Sequence, residues 1–191
     1  DLSWHALSAS YGMSAGMNAR ASENLSAVLA CTTAIASALA SIPALVYRRD
    51  AKGVRMEAPA HPLARLIRCG VNLHQLWPDF VKHFVYSTLL AGNGLAALDH
   101  SPSGELVSMR FVPWHTVTAS QLASGRLAYD VADGRGRARR YLQGEVTHLR
   151  DRTYDGLIGR SRLSRAANAV ESVQSANDFA RNFLRNGAQP S

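Results

Sequence analysis

The stretch Asp155–Ser191, DGLIGRSRLSRAANAVESVQSANDFARNFLRNGAQPS, is a glycine-containing loop that opens into a helix. Ser161 is a natural N-cap, because its hydroxyl can accept from the free amides of a first turn. Leu163, Ala166, Ala167, Val170, Val173, Asn177, Ala180 and Leu184 recur at intervals of three and four. That spacing makes one stripe on a helix. Gly187 stands where a left-handed residue ends a helix, and Pro190 bars continuation. One continuous helix from Ser161 to Asn186 is expected, roughly 39 Å long at about 1.5 Å per residue. A small domain rarely needs a terminal rod of that length, so the helix is expected to reach toward something else.

The 191 residues suffice for one domain with an appendage and a real core. The formal net charge is +7, and arginine supplies nearly all the positive charge, with Lys52 and Lys82 the only lysines. Coding bias in a GC-rich genome accounts for abundant arginine and alanine. Arginine also suits planar contacts to carboxylates, phosphates and protein interfaces. Both readings stay open, and net charge alone does not identify a polyanion. Cys31 and Cys69 lack CxxC partners and metal-ligand spacing, so both are expected to be reduced and structural, as in a cytosolic protein.

Residues 1–21 are rich in Ser, Gly, Ala and Met without a period, and read as a flexible N-terminal arm. Leu25 to Val46 carries no charge over 22 residues. Ser, Thr and Ala dilute its hydrophobicity and Pro43 ends it early, so a buried amphipathic helix capped by Ser22 fits better than a membrane span or leader. Its larger residues, Leu25, Val28, Leu29, Thr32, Ile35, Leu39 and Ile42, are expected to face inward. Strands at 44–48 and 54–57 flank an Asp50–Gly53 turn. A short helix starts at Pro62. A second runs from about Trp77 to Ala91, with Phe80, Phe84 or Val85, Thr88 and Leu89 inward and Gly92 at its end. Segments 95–99, 105–112 and 116–119 read as an antiparallel meander, 127–131 and 139–142 as the two arms of a hairpin, and 145–150 as the lead into the loop before the final helix. The order is α+β: a mostly antiparallel sheet packed with helices, followed by the long C-terminal helix.

No catalytic constellation stands out. Gly156 to Ser161 at a helix start could hold an anion, but no Walker or G-x-G-x-x-G pattern accompanies it. Its glycines equally let the chain turn tightly. The seven histidines are scattered, without metal spacing. No paired carboxylates and no G-x-S-x-G elbow occur. Neither a catalytic residue nor a cofactor or metal ligand is assigned. The strongest electrostatic feature is Arg135, Arg137, Arg139 and Arg140, followed by Arg150, Arg152, Arg160, Arg162 and Arg165. It reads either as a strip facing DNA or a subunit, or as a solvated hairpin paired to local acids such as Asp130, Asp133 and Glu145.

Several blocks in order resemble the N-terminal half of a tailed-bacteriophage portal protein of the Hong Kong 97-type family. They are Ser26–Cys31 with Ile35–Pro43 and Val46–Arg49; His61-Pro62-Leu63 with Leu66, Asn72 and Phe80; Leu89–Gly94, similar to the family's L-x-G-N-A turn with Gly94 in place of Ala; Pro113 and Val117; Val146–Arg150; Asp155-Gly156-x-x-Gly159-x-Ser161; and Asn186–Ser191. Arg162 stands where the family usually has Pro. The resemblance implies a wing-like domain over 22–157 and a long helix over 158–191 at the wing/stem boundary, ending before the clip. The clip, second stem helix, tunnel loop and crown are expected to be missing. Gly156, Gly159 and Ser161 are then the wing–stem joint, and Arg135, Arg137, Arg139 and Arg140 face a neighbour or DNA.

The implied function is non-enzymatic. The chain is expected to belong to a homo-oligomeric ring, usually a dodecamer, at one capsid vertex of the virion, assembled in the host bacterial cytoplasm. Double-stranded DNA passes through it without sequence preference during packaging and ejection. Expected partners are the major capsid protein, the terminase large subunit and head–tail adaptor proteins, with no membrane. The alternatives are a stand-alone basic nucleic-acid-binding module, and an enzyme using the Gly156–Ser161 loop as an anion site.

Overall fold

The computed structural model describes residues 26–133 and 136–185. The expected arm 1–21, the Ser22 cap, Leu25, Arg135 and the Asn186–Ser191 exit lie outside the described residues.

Helix α1 (Ser26–Ala40) is followed by the hairpin β1 (Tyr47–Arg49) and β2 (Arg55–Glu57). The Asp50 carboxylate makes the turn by accepting from the amides of Lys52 at 2.8 Å and Val54 at 2.9 Å. Helix α2 (Pro62–Cys69) starts on proline, with the His61 ring accepting from the Leu63 amide. Helix α3 (Trp77–Ala91) ends where Gly92 takes a left-handed φ of 80°. Six strands follow: β3 (Asn93–His100), β4 (Leu106–Val112), β5 (Val117–Gln121), β6 (Leu127–Ala132), β7 (Ala138–Leu142) and β8 (Val146–Arg150). The expected meander of β3, β4 and β5 is broken, and the segment read as a lead into the loop is a true strand, β8, so the six strands form no single sheet. They split into two antiparallel sheets, β4-β3-β8 and β5-β6-β7. The chain leaves the first sheet after β4, builds the second, and returns in β8 to pair with β3, placing Leu95 opposite His148 and Ala97 opposite Val146.

The layers are helices, sheet, sheet. On one face of the first sheet, Ala96 and Met109 meet Leu66, Val71 and Phe80 of the helical layer. On the other, Leu95, Ala97, Val112 and Val146 meet Val117, Ala119, Leu127, Tyr129 and Tyr141 of the second sheet. Strand β3 is therefore covered on both faces, which explains its continuous small-apolar run Gly94–Leu98 where a one-sided strand would alternate. Gly94 fits the tight exit from α3, because a Cβ there would meet the Thr88 hydroxyl at 2.5 Å and the Phe84 carbonyl at 2.7 Å.

Two sequence expectations are corrected. Of the described residues in the stripe expected to face inward, only Thr32 is buried. Thr32, Ala36 and Ala40 are buried, while Leu29, Ile35, Leu39 and Ile42 are exposed. The small side chains let α1 lie close against α3, where Val85 and Leu89 fill the contact. The final helix is also not continuous. A four-residue helix α4 (Arg162–Arg165) breaks at Ala166 before α5 (Ala167–Arg185). The Ser161 carbonyl is drawn on by the Ser164 hydroxyl at 2.9 Å and the Arg165 side chain at 3.4 Å, so its bond to the Arg165 amide stretches to 3.4 Å. Leu163 of the expected stripe is buried, while Val173 and Leu184 are exposed. Cys31 and Cys69 are both free thiols, and both are exposed.

Candidate functional site

The residues Gly156, Gly159 and Ser161 meet the end of α3 in a backbone crossing. The loop first closes on itself. Gly156 adopts φ 74°, and its amide donates to the Thr153 hydroxyl at 2.9 Å. The Asp155 carboxylate accepts from the Leu157 amide at 2.8 Å and the Ile158 amide at 3.2 Å. The Arg150 guanidinium donates to the Gly156 carbonyl. Ile158 inserts into the core between the two sheets. Gly159 then passes so close to Gly92 that a Cβ would overlap the Gly92 carbonyl oxygen. A Cβ on Gly92 would in turn meet the Ser161 nitrogen at 2.6 Å. Two backbones thus touch with no side chain between them, which only glycine permits.

Asn93, 1% exposed, ties the crossing. Its side-chain NH₂ donates to the Gly159 carbonyl at 2.8 Å, and its Oδ1 accepts from the Gly159 amide at 2.8 Å. The same Oδ1 lies 3.0 Å from His148 Nε2. An amide oxygen only accepts, so Nε2 carries the hydrogen, and Nδ1 accepts from the Tyr129 hydroxyl at 3.0 Å. Trp114 stacks on the His148 ring at 5.2 Å. Burial, with the Arg150 charge adding to it, pushes the His148 pKa down to about 4. Burial raises the Tyr129 pKa against the opposing Arg150 charge. Both groups are therefore neutral near pH 7, as their mutual bond requires.

Two further ties hold the helix start. The Ser161 hydroxyl donates to the Leu90 carbonyl at 2.5 Å and accepts from the Leu163 and Ser164 amides, so it caps α4 while fastening it to α3. Asp151, whose amide donates to the Gly92 carbonyl at 2.8 Å, accepts from Arg162 at 2.6 Å and Arg165 at 3.3 Å. Burial works to raise the Asp151 pKa, but the bond from Arg162, a backbone bond from Arg152 and the arginine charges outweigh it and hold the pKa below the usual carboxylate range.

The loop is not a phosphate cradle. The amides of Gly156, Leu157, Ile158 and Gly159 are occupied by Thr153, Asp155 and Asn93, and that of Arg160 donates to the Arg152 carbonyl at 2.9 Å. Among the described residues, no cluster of His, Cys, Asp and Glu fits a metal ion, and no helix is long and apolar enough to cross a membrane.

The arginines of the β6–β7 hairpin are tied locally. Asp130 and Arg140 lie opposite in register and form a two-pronged ion pair at 2.7 and 2.8 Å. Arg137 pairs with Asp133 at 3.0 Å, and Arg139 lies over the Tyr141 ring at 4.6 Å. Glu145 instead accepts from the Leu142 amide. The hairpin and the joint are separate features, because the contacts of Arg137, Arg139 and Arg140 stay within their own sheet.

Asn93, His148, Tyr129 and Asp151 hold the crossing together, and sequence reasoning gave none of them a role of its own. A signal existed: Leu89–Gly94, Val146–Arg150 and Asp155–Ser161 were already separate blocks of the resemblance. The structure brings all three together at the crossing.

Comparison with known proteins fits this architecture. A family model described as "Phage portal protein" matches residues 26–191. The portal protein of Enterobacteria phage HK97 is 24% identical over 156 residues, covering 78% of this chain and 35% of that protein. A chain from the neck of an empty gene transfer agent particle, computed with C6 symmetry, superposes with a TM-score of 0.72 at 24% identity, over 85% of this chain and 44% of that one. The crystal structure of an HK97-family phage portal protein from Corynebacterium diphtheriae gives 0.56 at 18% identity, over 89% of this chain and 50% of that one. The chain spans a third to a half of the length of these relatives. With the family model spanning every described residue, and the helices-on-sheets fold shared with these structures, the chain belongs to the phage portal protein family.

Proposed function

We propose that this chain is the wing and wing–stem joint of a structural subunit in a portal ring at one capsid vertex, through which double-stranded DNA enters and leaves the particle. The family match over residues 26–191 carries this reading. The joint supports it physically. A long helix leaves a rigid two-sheet body through a crossing fixed by Asn93, Ser161 and Asp151, which suits transmitting load rather than binding a small substrate. Structures similar to this chain come from necks of particles treated with C6 or C12 symmetry, so a homo-oligomeric ring, with twelve copies expected, is proposed here. The terminase large subunit, adaptor proteins and major capsid protein are the partners proposed for the ring, and the virion vertex is its proposed location.

Electron micrographs of the intact protein test the reading. Rings with a central channel are expected. A monomer that binds duplex DNA with a steep salt dependence would instead support the stand-alone nucleic-acid-binding module.

A further inference from the structure

Strand β7 ends the second sheet, and its register fixes which of its backbone groups face outward. Just past the ladder, the Asp133 amide donates to the Arg137 carbonyl at 2.9 Å, so these two residues form a hydrogen-bonded pair. Such pairs alternate along an antiparallel ladder. Val131 with Arg139 and Tyr129 with Tyr141 are therefore the bonded pairs, and the N–H and C=O of Ala138, Arg140 and Leu142 point away from β6. The other end of β6 agrees. There the Leu122 amide donates to the Arg126 carbonyl at 2.8 Å, which turns Ala128 and Asp130 toward β5 and leaves Tyr129 and Val131 for β7.

The outward amide of Leu142 donates to the Glu145 carboxylate at 2.8 Å. Among the described residues, nothing pairs with the outward groups of Ala138 and Arg140, and both residues are exposed. The β4 edge differs: the Met109 amide donates to the Val71 carbonyl and the Met109 carbonyl accepts from the Asn72 side chain, each at 2.9 Å. An open edge is a template for another strand.

We propose that the β7 edge at Ala138 and Arg140 binds an acidic, extended segment of a different polypeptide by strand addition. Charge selects that occupant. Asp133 and Asp130 match the charges of Arg137 and Arg140, whereas Arg139 has no ion pair among the described residues and lies over the Tyr141 ring. An antiparallel partner sets one residue directly opposite Arg139, in the non-hydrogen-bonded pair where side chains come closest. A carboxylate there forms a cross-strand ion pair, while the residues flanking it bond to Ala138 and Arg140. A second copy of β7 in that register would set Arg139 against its own counterpart, which like charge disfavours. Duplex DNA offers no alternating N–H and C=O groups to the edge. At the next outward position the chain already shows the chemistry, an edge amide holding a carboxylate. Ring assembly is not needed for this contact.

A fluorescein-labelled peptide, TVTETVT in one-letter code, is titrated into the intact protein and followed by anisotropy. Saturable binding is expected. Lysine in place of its glutamate should weaken binding about tenfold or more. N-methylation of the two residues flanking the glutamate removes the N–H groups that meet the edge and should weaken it by roughly the same factor. Ala138→Pro removes an edge donor where proline is tolerated, and should weaken binding with an unchanged circular-dichroism spectrum. Arg139→Glu, which leaves the backbone intact, should reverse the preference in favour of the lysine peptide. No saturation by the glutamate peptide at millimolar concentration overturns the proposal. So does binding that follows the glutamate but survives N-methylation, which marks a bare polyanion site of the nucleic-acid kind. Binding to dissociated subunits that is lost in assembled rings would give the edge to a second copy and overturns it too.

Discussion

Asn93 and Gly159, 66 positions apart, are bonded to each other twice, the asparagine side chain giving and receiving as a strand backbone would. The side chain completes a piece of β-structure that the irregular loop could not supply. Asn93→Ala would leave the Gly159 amide and carbonyl and the His148 N–H without partners in a buried place. A loss of about 2–4 kcal/mol is expected, since stranded buried polar groups cost more than the bonds removed. Urea denaturation of the intact protein measures it.

The two joint glycines are needed for different reasons, and alanine separates them. At Gly156 the added methyl meets open space, and only the positive φ of 74° opposes it. A cost of about 1 kcal/mol is expected. At Gly159 the methyl would occupy the position of the Gly92 carbonyl, so the crossing must open. A cost on the order of 3 kcal/mol or more is expected. Similar melting temperatures for the two variants would contradict the close approach.

His148 makes stability depend on pH in a defined window. Unfolded, it takes a proton near pH 6.5; folded, only near about 4. Between those values the unfolded chain holds more protons, so stability rises with pH across the window and is level above it. The loss from pH 6.5 to 4 is expected to be about 3 kcal/mol from this group. Urea midpoints measured from pH 4 to 8 should show the slope, and His148→Gln should flatten it. Asp151 and Asp130, whose pKa values are lowered, act in a more acidic range. Their contribution is complete above the usual carboxylate pKa and is lost as pH falls through the lowered folded values.

On the basic hairpin, Arg139 separates an outward role from local pairing. Charge reversal at Arg140 also sets two negative charges against each other, because Asp130 lies opposite. Arg139→Glu breaks no ion pair shown in the structure and removes only the contact over Tyr141. If the hairpin meets a neighbouring subunit, this variant should assemble fewer rings in native gels or micrographs while melting normally. Wild-type ring yield would leave the hairpin without an assembly role.

What the residues disclosed depended on how local the cause was. Gly92 as the end of α3, Ser161 as the cap of α4, Pro62 at the start of α2 and the Asp50 turn each rest on a residue acting on its own neighbours, and each was readable. The inward face of α1 was not, because large residues normally signal the core, whereas a close helix contact selects Ala36 and Ala40. The return of β8 to β3 was hidden because the whole second sheet is inserted between the partners. The Asn93–His148–Gly159 cluster joins residues 55 and 66 positions apart, so no window along the chain contains it. The break at Ala166 leaves the spacing of three and four unchanged, so periodicity does not register it.

The Gly92–Gly159 crossing has a mechanical consequence. A pull along the final helix reaches the body through bonds at Leu90, Gly92, Asn93 and Asp151. These bonds cluster at one seam, so a load is shared among several of them. Where Gly92 meets Gly159 no side chain separates the two backbones. The start of the final helix is therefore fastened to the end of α3 and to strand β3 by direct backbone contact and short hydrogen bonds.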